Sequence, residues 1–193
     1  MSSSSPSTVS RDWELKTAAN GAHYAIGGKI TSSRQDAACI VDTVCAQLDV
    51  SQPCATEHNR FPWAPQEAFP AWFAAMQSRA AQLGIDPDSA KWLLCRHGTQ
   101  TTGIFHSIEA DRSLAQRIAP ALPFIVADLL HCATNEMVVH LDDLLRRRLP
   151  LLILTKLTQD QLRRITLQVA AALQWDDKRL QDEMERCTPW ITH

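Results

Sequence analysis

The clearest period in the chain runs from Ser32 to Leu48, where Ala37, Ile40, Val41, Val44 and Leu48 recur at helical spacing. Arg34, Gln35, Asp36 and Asp42 fill the other face, so the stretch predicts an amphipathic helix. Ahead of it the period changes. Trp13 and Leu15, the dipeptide Asn20-Gly21, and His23 to Ile26 read as a β-hairpin, because Asn-Gly between two short apolar segments favours a tight reversal. Residues 49–69 carry Pro53, Pro62 and Pro65 among polar positions and predict a linker. Beyond the linker the pattern is helical. Trp72, Phe73, Met76, Ala80 and Leu83 form one stripe closed by Gly84, and Asp86-Pro87-Asp88-Ser89 opens a helix that His97-Gly98 ends. A short helix is predicted from Asp111 to Ile118 and a longer one from Glu136 to Arg148. Phe124 to Thr134 is apolar enough for helix or strand. Thr158-x-x-Gln161 forms a capping box ahead of Leu162, Ile165, Val169 and Leu173, and Asp176 to Cys187 reads as a charged last helix.

The expected fold is therefore mainly α. A C-terminal all-α bundle over 70–193 is preceded by a short β-hairpin and helix within 1–48, with 49–69 as linker. The Ser/Pro-rich residues 1–7 are expected to be disordered.

Composition narrows the function classes. With 45% apolar and 21% charged residues over 193 positions, the chain has the balance of a soluble protein with a real core. A net charge of −2 gives no field for nucleic acid or an anionic membrane. The longest apolar run, Leu149 to Leu154, contains Pro150 and is far too short to span a bilayer. The opening MSSSSPSTVS lacks the basic and apolar regions of a signal peptide, so a cytoplasmic location is expected. No cysteine pair has a C-x-x-C spacing and no histidine cluster stands out, so no metal site is expected. Cys39, Cys45, Cys95 and Cys132 sit among apolar residues and are expected reduced and buried. His97, His106, His131 and His140 are read as surface or core-edge residues. Asp142 and Asp143 precede Arg146 and Arg147 by four, which fits helix ion pairs at a basic helix end.

One stretch carries candidate chemistry: Gly27-Gly28-Lys29-Ile30-Thr31-Ser32-Ser33-Arg34. Two glycines admit positive φ and close approach of a ligand to backbone. The following helix start offers unpaired N–H groups, Thr31, Ser32 or Ser33 can cap it, and Lys29 adds a positive charge. Spacing alone fits a capped strand-to-helix turn with its lysine in solvent as well as an anion site. Arg11, about one hairpin upstream, could converge on Lys29.

The segments SRDWEL and GGKITSSRQDA, in this order, resemble the end of the flavin domain of FAD-dependent glycerol-3-phosphate dehydrogenases and glycerophosphate oxidases. LLCRHGTQ, ADLLHCATNEMVVHLDDLLRRRLPLLI and LQWDDKRLQDE are similar to that family's helical C-terminal region, so the resemblance covers the chain from Pro6. It implies that Arg11 and Lys29 bind glycerol 3-phosphate, and that the backbone of Gly27, Gly28, Lys29, Ile30 and Thr31 lies along the flavin of FAD. It also implies oxidation to dihydroxyacetone phosphate with a quinone as acceptor, and a peripheral place at the inner membrane surface for the whole enzyme. No residue of this chain is implied as catalytic. Ser33 stands where the family has an aromatic residue, and Ser32 where it has threonine. The six glycines form no G-x-G-x-x-G, so the partner is expected to be a flavin-binding N-terminal domain, without which the chain is expected to be inactive. A homodimer through the exposed 9–30 segment is a further expectation. The competing reading is a stand-alone helical interaction module derived from that domain.

Overall fold

The computed structural model describes residues 13–191. The expected disorder of 1–7 and the position of Arg11 lie outside the described residues. The chain divides into two units, Met1–Pro62 and Trp63–His193, with the division inside the proline-rich stretch.

In the first unit, β1 (Trp13–Thr17) and β2 (His23–Gly27) pair antiparallel, from Trp13 opposite Gly27 to Thr17 opposite His23. The reversal spans Ala18–Ala22. Gly21 takes φ 85° at its apex, and the Asn20 side chain accepts from the Ala22 N–H at 3.1 Å. After Gly28 and Lys29, a single 3-10 turn (Ile30–Ser32) leads into α1 (Ser33–Gln47). His23 ties the hairpin to the helix, accepting or donating through Nδ1 to Thr17 Oγ1 and through Nε2 to Gln47 Oε1. Among the described residues, none before Trp72 is buried.

The second unit is helical, as its periodicity predicts. Trp72, Ala80 and Leu83 of the α2 stripe (Phe69–Gln82) are buried. Gly84 at φ 79° turns the chain so that Ile85 N–H bonds to the Ala80 carbonyl. Asp86 caps α3 (Pro87–His97) by accepting from the N–H groups of Asp88 and Ser89, and its carboxylate also receives Arg117. The sequence left 99–110 without an element, yet α4 (Thr101–Ala110) is there, with Ile104, Phe105 and Ile108 buried. Its β-branched residues and Gly103 are weak helix formers, and burial overrides them. The expected Asp111–Ile118 helix shrinks to a 3-10 turn, Arg112–Ala115, capped by Asp111.

The ambiguous apolar stretch is α5 (Val126–Asn135). The predicted Glu136–Arg148 helix does not form as one piece. Glu136 ends α5, Met137 takes φ 51°, and a new start follows at His140 with α6 (Leu141–Asp143) and a π turn over Leu144–Arg148. Pro150 forces Leu149 out of the helical region and α7 (Leu151–Leu154) begins afresh. α8 (Gln159–Leu173) opens with the Thr158–Gln161 capping box in both directions, at 3.2 and 2.9 Å. α9 (Asp177–Cys187) follows. Two apolar clusters result: one around Phe105, Leu93 and Leu94, the other around Leu129, Leu144, Leu145 and Val169. Trp92 packs against both.

All six cysteines are free thiols, but only Cys132 and Cys187 are buried. Cys39 and Cys95 are exposed and Cys45 half-buried, against the expected burial; Cys95 is exposed although its neighbours Leu93 and Leu94 are in the core. His97 is buried at 3% exposure, against the expected surface or core-edge position. Asp143 pairs with Arg147 as the spacing predicts, whereas Asp142 pairs with Arg186 and Arg146 lies over the Trp190 ring at 3.8 Å. Among the described residues, no helix is long and apolar enough to cross a membrane.

Candidate functional site

The glycine turn is built at the open end of the hairpin. Gly27 ends β2 at φ 81° and Gly28 follows at φ 102°, conformations that side-chain-bearing residues rarely adopt. Lys29 then returns to extended backbone at φ −122° and its side chain reaches solvent. A Cβ on Gly28 would meet Trp13 Cβ at 3.5 Å and Asp36 Oδ2 at 3.6 Å, ordinary contacts, so conformation and not crowding selects glycine there. Gly27 to Thr31 are all exposed, with Ile30 at 89%.

The helix start differs from expectation. No side chain caps α1. The Ser32 hydroxyl bonds instead to the Lys29 carbonyl at 3.1 Å and to Asp36 Oδ2 at 2.8 Å. Asp36 thus puts a carboxylate in the first turn, where the helix dipole favours it. The positive helix end is already answered from within, so Lys29 is the cation this turn offers an incoming anion. Arg11, expected to converge on Lys29, lies outside the described residues.

The surfaces flanking the turn are apolar and open. Tyr24 and Ile26 on β2 are 50% and 53% exposed, and Val41 and Leu48 on α1 are 57% and 68% exposed. A cavity of about 240 Å³ lies between α1 and the segment Gln52–Thr56, walled by Ala37, Ala38, Val41, Cys45 and Pro53. These apolar side chains stay open in a unit that has no buried residue among those described.

The second unit holds a polar cluster that sequence reasoning missed. His97 from α3 meets Asp128 and Cys132 from α5, with Glu136 at that helix's end. Arg96 Nη2 donates to Glu136 Oε2 at 2.8 Å, and Arg148 Nε lies 3.5 Å from the same oxygen. Asp128, Cys132 and Glu136 are four apart, which places them on one helix face. That spacing was the available signal.

The family described as the C-terminal domain of alpha-glycerophosphate oxidase matches residues 55–180. A glycerol-3-phosphate dehydrogenase from Synechocystis sp. is 32% identical over 133 residues, 67% of this chain and 23% of that protein. The mitochondrial glycerol-3-phosphate dehydrogenase SDP6 of Arabidopsis thaliana is 24% identical over 200 residues, 97% of this chain and 32% of that protein. The crystal structure of glycerol-3-phosphate dehydrogenase from Bacillus halodurans complexed with FAD superimposes with a TM-score of 0.73 at 23% identity, over 92% of this chain and 36% of that one. That likeness shows the fold. The chain spans 23% to 32% of the length of these curated relatives.

Proposed function

The chain belongs to the family of the C-terminal domain of alpha-glycerophosphate oxidase, and from that premise we propose that it is the C-terminal part of an FAD-dependent glycerol-3-phosphate dehydrogenase. The reaction assigned to the whole enzyme is oxidation of sn-glycerol 3-phosphate to dihydroxyacetone phosphate. One observation carries the proposal. The hairpin and α1 form a unit with no buried residue among those described, and expose Tyr24, Ile26, Ile30 and Val41 around a two-glycine turn. A two-stranded hairpin is marginal by itself, so such a unit makes physical sense as the last piece of a larger sheet domain.

The residues present fit one wall of a flavin site. Gly27 and Gly28 leave the backbone bare at a turn that Lys29 makes positive, and Ile30 offers an apolar contact that keeps water away. When bound, FAD supplies the hydride acceptor, with a quinone as the eventual electron sink. This chain's own part is positioning. The backbone from Gly27 to Thr31 would line the flavin, and Lys29 with Arg11 would hold the phosphate or hydroxyls of the substrate. Asp36 already neutralises the α1 dipole, so the stabilisation of negative charge rests on Lys29 more than on the helix end.

Two results test this. The chain alone, incubated with excess FAD and passed down a desalting column, is expected to carry no flavin absorbance, since the other walls belong to the partner domain. In an enzyme assembled from this chain and a flavin-binding domain, Lys29→Ala is expected to raise KM for glycerol 3-phosphate about tenfold, roughly 1.4 kcal/mol, with a smaller effect on kcat. An unchanged KM would remove Lys29 from the substrate site.

A further inference from the structure

The His97 cluster has a geometry that ion pairing alone does not use up. His97 Nε2 and Asp128 Oδ1 are 2.7 Å apart, and the carboxylate requires the proton to be on Nε2. Asp128 Oδ2 receives the Trp92 indole N–H at 2.8 Å, so both its oxygens are committed. The imidazole Nδ1 faces Glu136 Oε1 at 3.8 Å, too far for a hydrogen bond, and in the neutral ring protonated on Nε2 it is the nitrogen that carries the lone pair. Cys132 Sγ stands 3.6 Å from that same oxygen. Arg96 and Arg148 hold the other oxygen, Oε2, and leave Oε1 pointing inward.

These three atoms, His97 Nδ1 or Nε2, Cys132 Sγ and a Glu136 oxygen, lie within 4.8 Å of one another. A tetrahedral ion with bonds of about 2.0–2.3 Å separates its ligands by roughly 3.3–3.7 Å; the Cys132–Glu136 and His97–Glu136 separations of 3.6 and 3.8 Å are close to that, and the His97–Cys132 separation is within 4.8 Å. A histidine whose second nitrogen is held by a buried carboxylate is the usual support of a metal-bound imidazole. The Glu136 side chain is 23% exposed, which gives an ion a way in and a water a fourth position.

We propose that His97, Cys132 and Glu136 bind one divalent cation of the zinc or cobalt class, with Asp128 positioning the His97 ring. Mixed nitrogen, sulfur and oxygen donors select such borderline ions over calcium or magnesium. The charged and titratable groups facing the site are Arg96 and His97 from α3, Asp128, His131 and Glu136 from α5, and Arg148 from the π turn. Arg96 and Arg148 balance the two carboxylates, so the entering dication is compensated by loss of the Cys132 proton.

The test is cobalt titration of the chelator-treated 193-residue chain. The expected result is one equivalent bound and thiolate-to-cobalt charge-transfer absorption. Cys132→Ser is expected to abolish the band, and Asp128→Asn to weaken binding about 10–100-fold. Replacing the exposed thiols together, Cys39→Ser, Cys54→Ser and Cys95→Ser, is expected to leave the band in place. If Cys132→Ser loses its helical circular dichroism, His97→Gln is read instead, with at least tenfold weaker binding expected. Absence of the band at stoichiometric cobalt, or a band that follows the exposed cysteines, would overturn the proposal.

Discussion

Gly98 stands at φ 54° and ψ −134°, between the end of α3 and the turn into α4. A Cβ there would lie 2.2 Å from the Trp63 carbonyl oxygen, the acceptor of the Thr99 N–H at 2.9 Å. Gly98→Ala therefore meets both a backbone clash and a strained φ, and should lower stability of the helical unit by about 2–4 kcal/mol in urea denaturation. Asp86 offers a pH-dependent test. The hydrogen bonds from the Arg117 guanidinium, helped by the Ser89 N–H, hold its carboxyl well below the usual carboxylate range. Its folded value lies below its unfolded one, so its contribution is present above about pH 4 and is lost as pH falls toward the folded value. The urea midpoint of the wild-type chain should fall more steeply below pH 4 than that of Asp86→Asn, which keeps a capping oxygen without the charge. Equal slopes would show that the carboxylate contributes nothing. The Asp-Pro-Asp-Ser cap was readable because its partners are two and three residues away. The His97–Asp128 and Glu183–His140 pairs were not, since 31 and 43 residues separate them and only the fold joins them.

At the level of elements, strong periods and local punctuation were legible, and broken or weakly propensive helices were not. The hairpin around Asn20-Gly21, α1, α2, α3, α8 and α9 all stand where their patterns put them. The Thr158 box is the plainest case. Thr158→Ala should cost about 1 kcal/mol, seen as a shift in thermal midpoint with unchanged helix content. The run from Glu136 to Arg148 misled because its apolar spacing is continuous while its backbone is not. Glu183 of α9 accepts from the Leu141 N–H at 2.7 Å and pairs with His140 and Arg179, so a distant carboxylate fixes where α6 starts. Removing it in Glu183→Gln leaves a buried helix start poorly satisfied and should destabilise by about 1–3 kcal/mol, measured by urea denaturation. Of the glycine turn, the bare backbone and exposed lysine were legible from Gly27-Gly28-Lys29. The Asp36 carboxylate at the helix start was not, because Asp36 had been counted only as part of a polar face.

For the whole molecule, burial is uneven. The helical unit closes two apolar clusters around Trp92, whereas the hairpin unit closes none among its described residues. Its apolar positions on β2 and α1 gain nothing until something covers them, at roughly 25 cal/mol per Å² of apolar surface buried. A flavin-binding domain related to those of the matched dehydrogenases is the proposed cover, and self-association through the hairpin edge is the competing outcome for the chain alone. Light scattering after size exclusion should show that association weaken in Ile26→Lys, which puts a charge on the exposed strand face. The central claim is tested most directly by mixing the purified chain with a separately made flavin-binding portion of a glycerol-3-phosphate dehydrogenase and following glycerol-3-phosphate-dependent reduction of an artificial electron acceptor. The account predicts activity that neither part shows alone and that saturates at one equivalent of this chain. No gain over the flavin-binding portion alone, with both parts folded by circular dichroism, would contradict it.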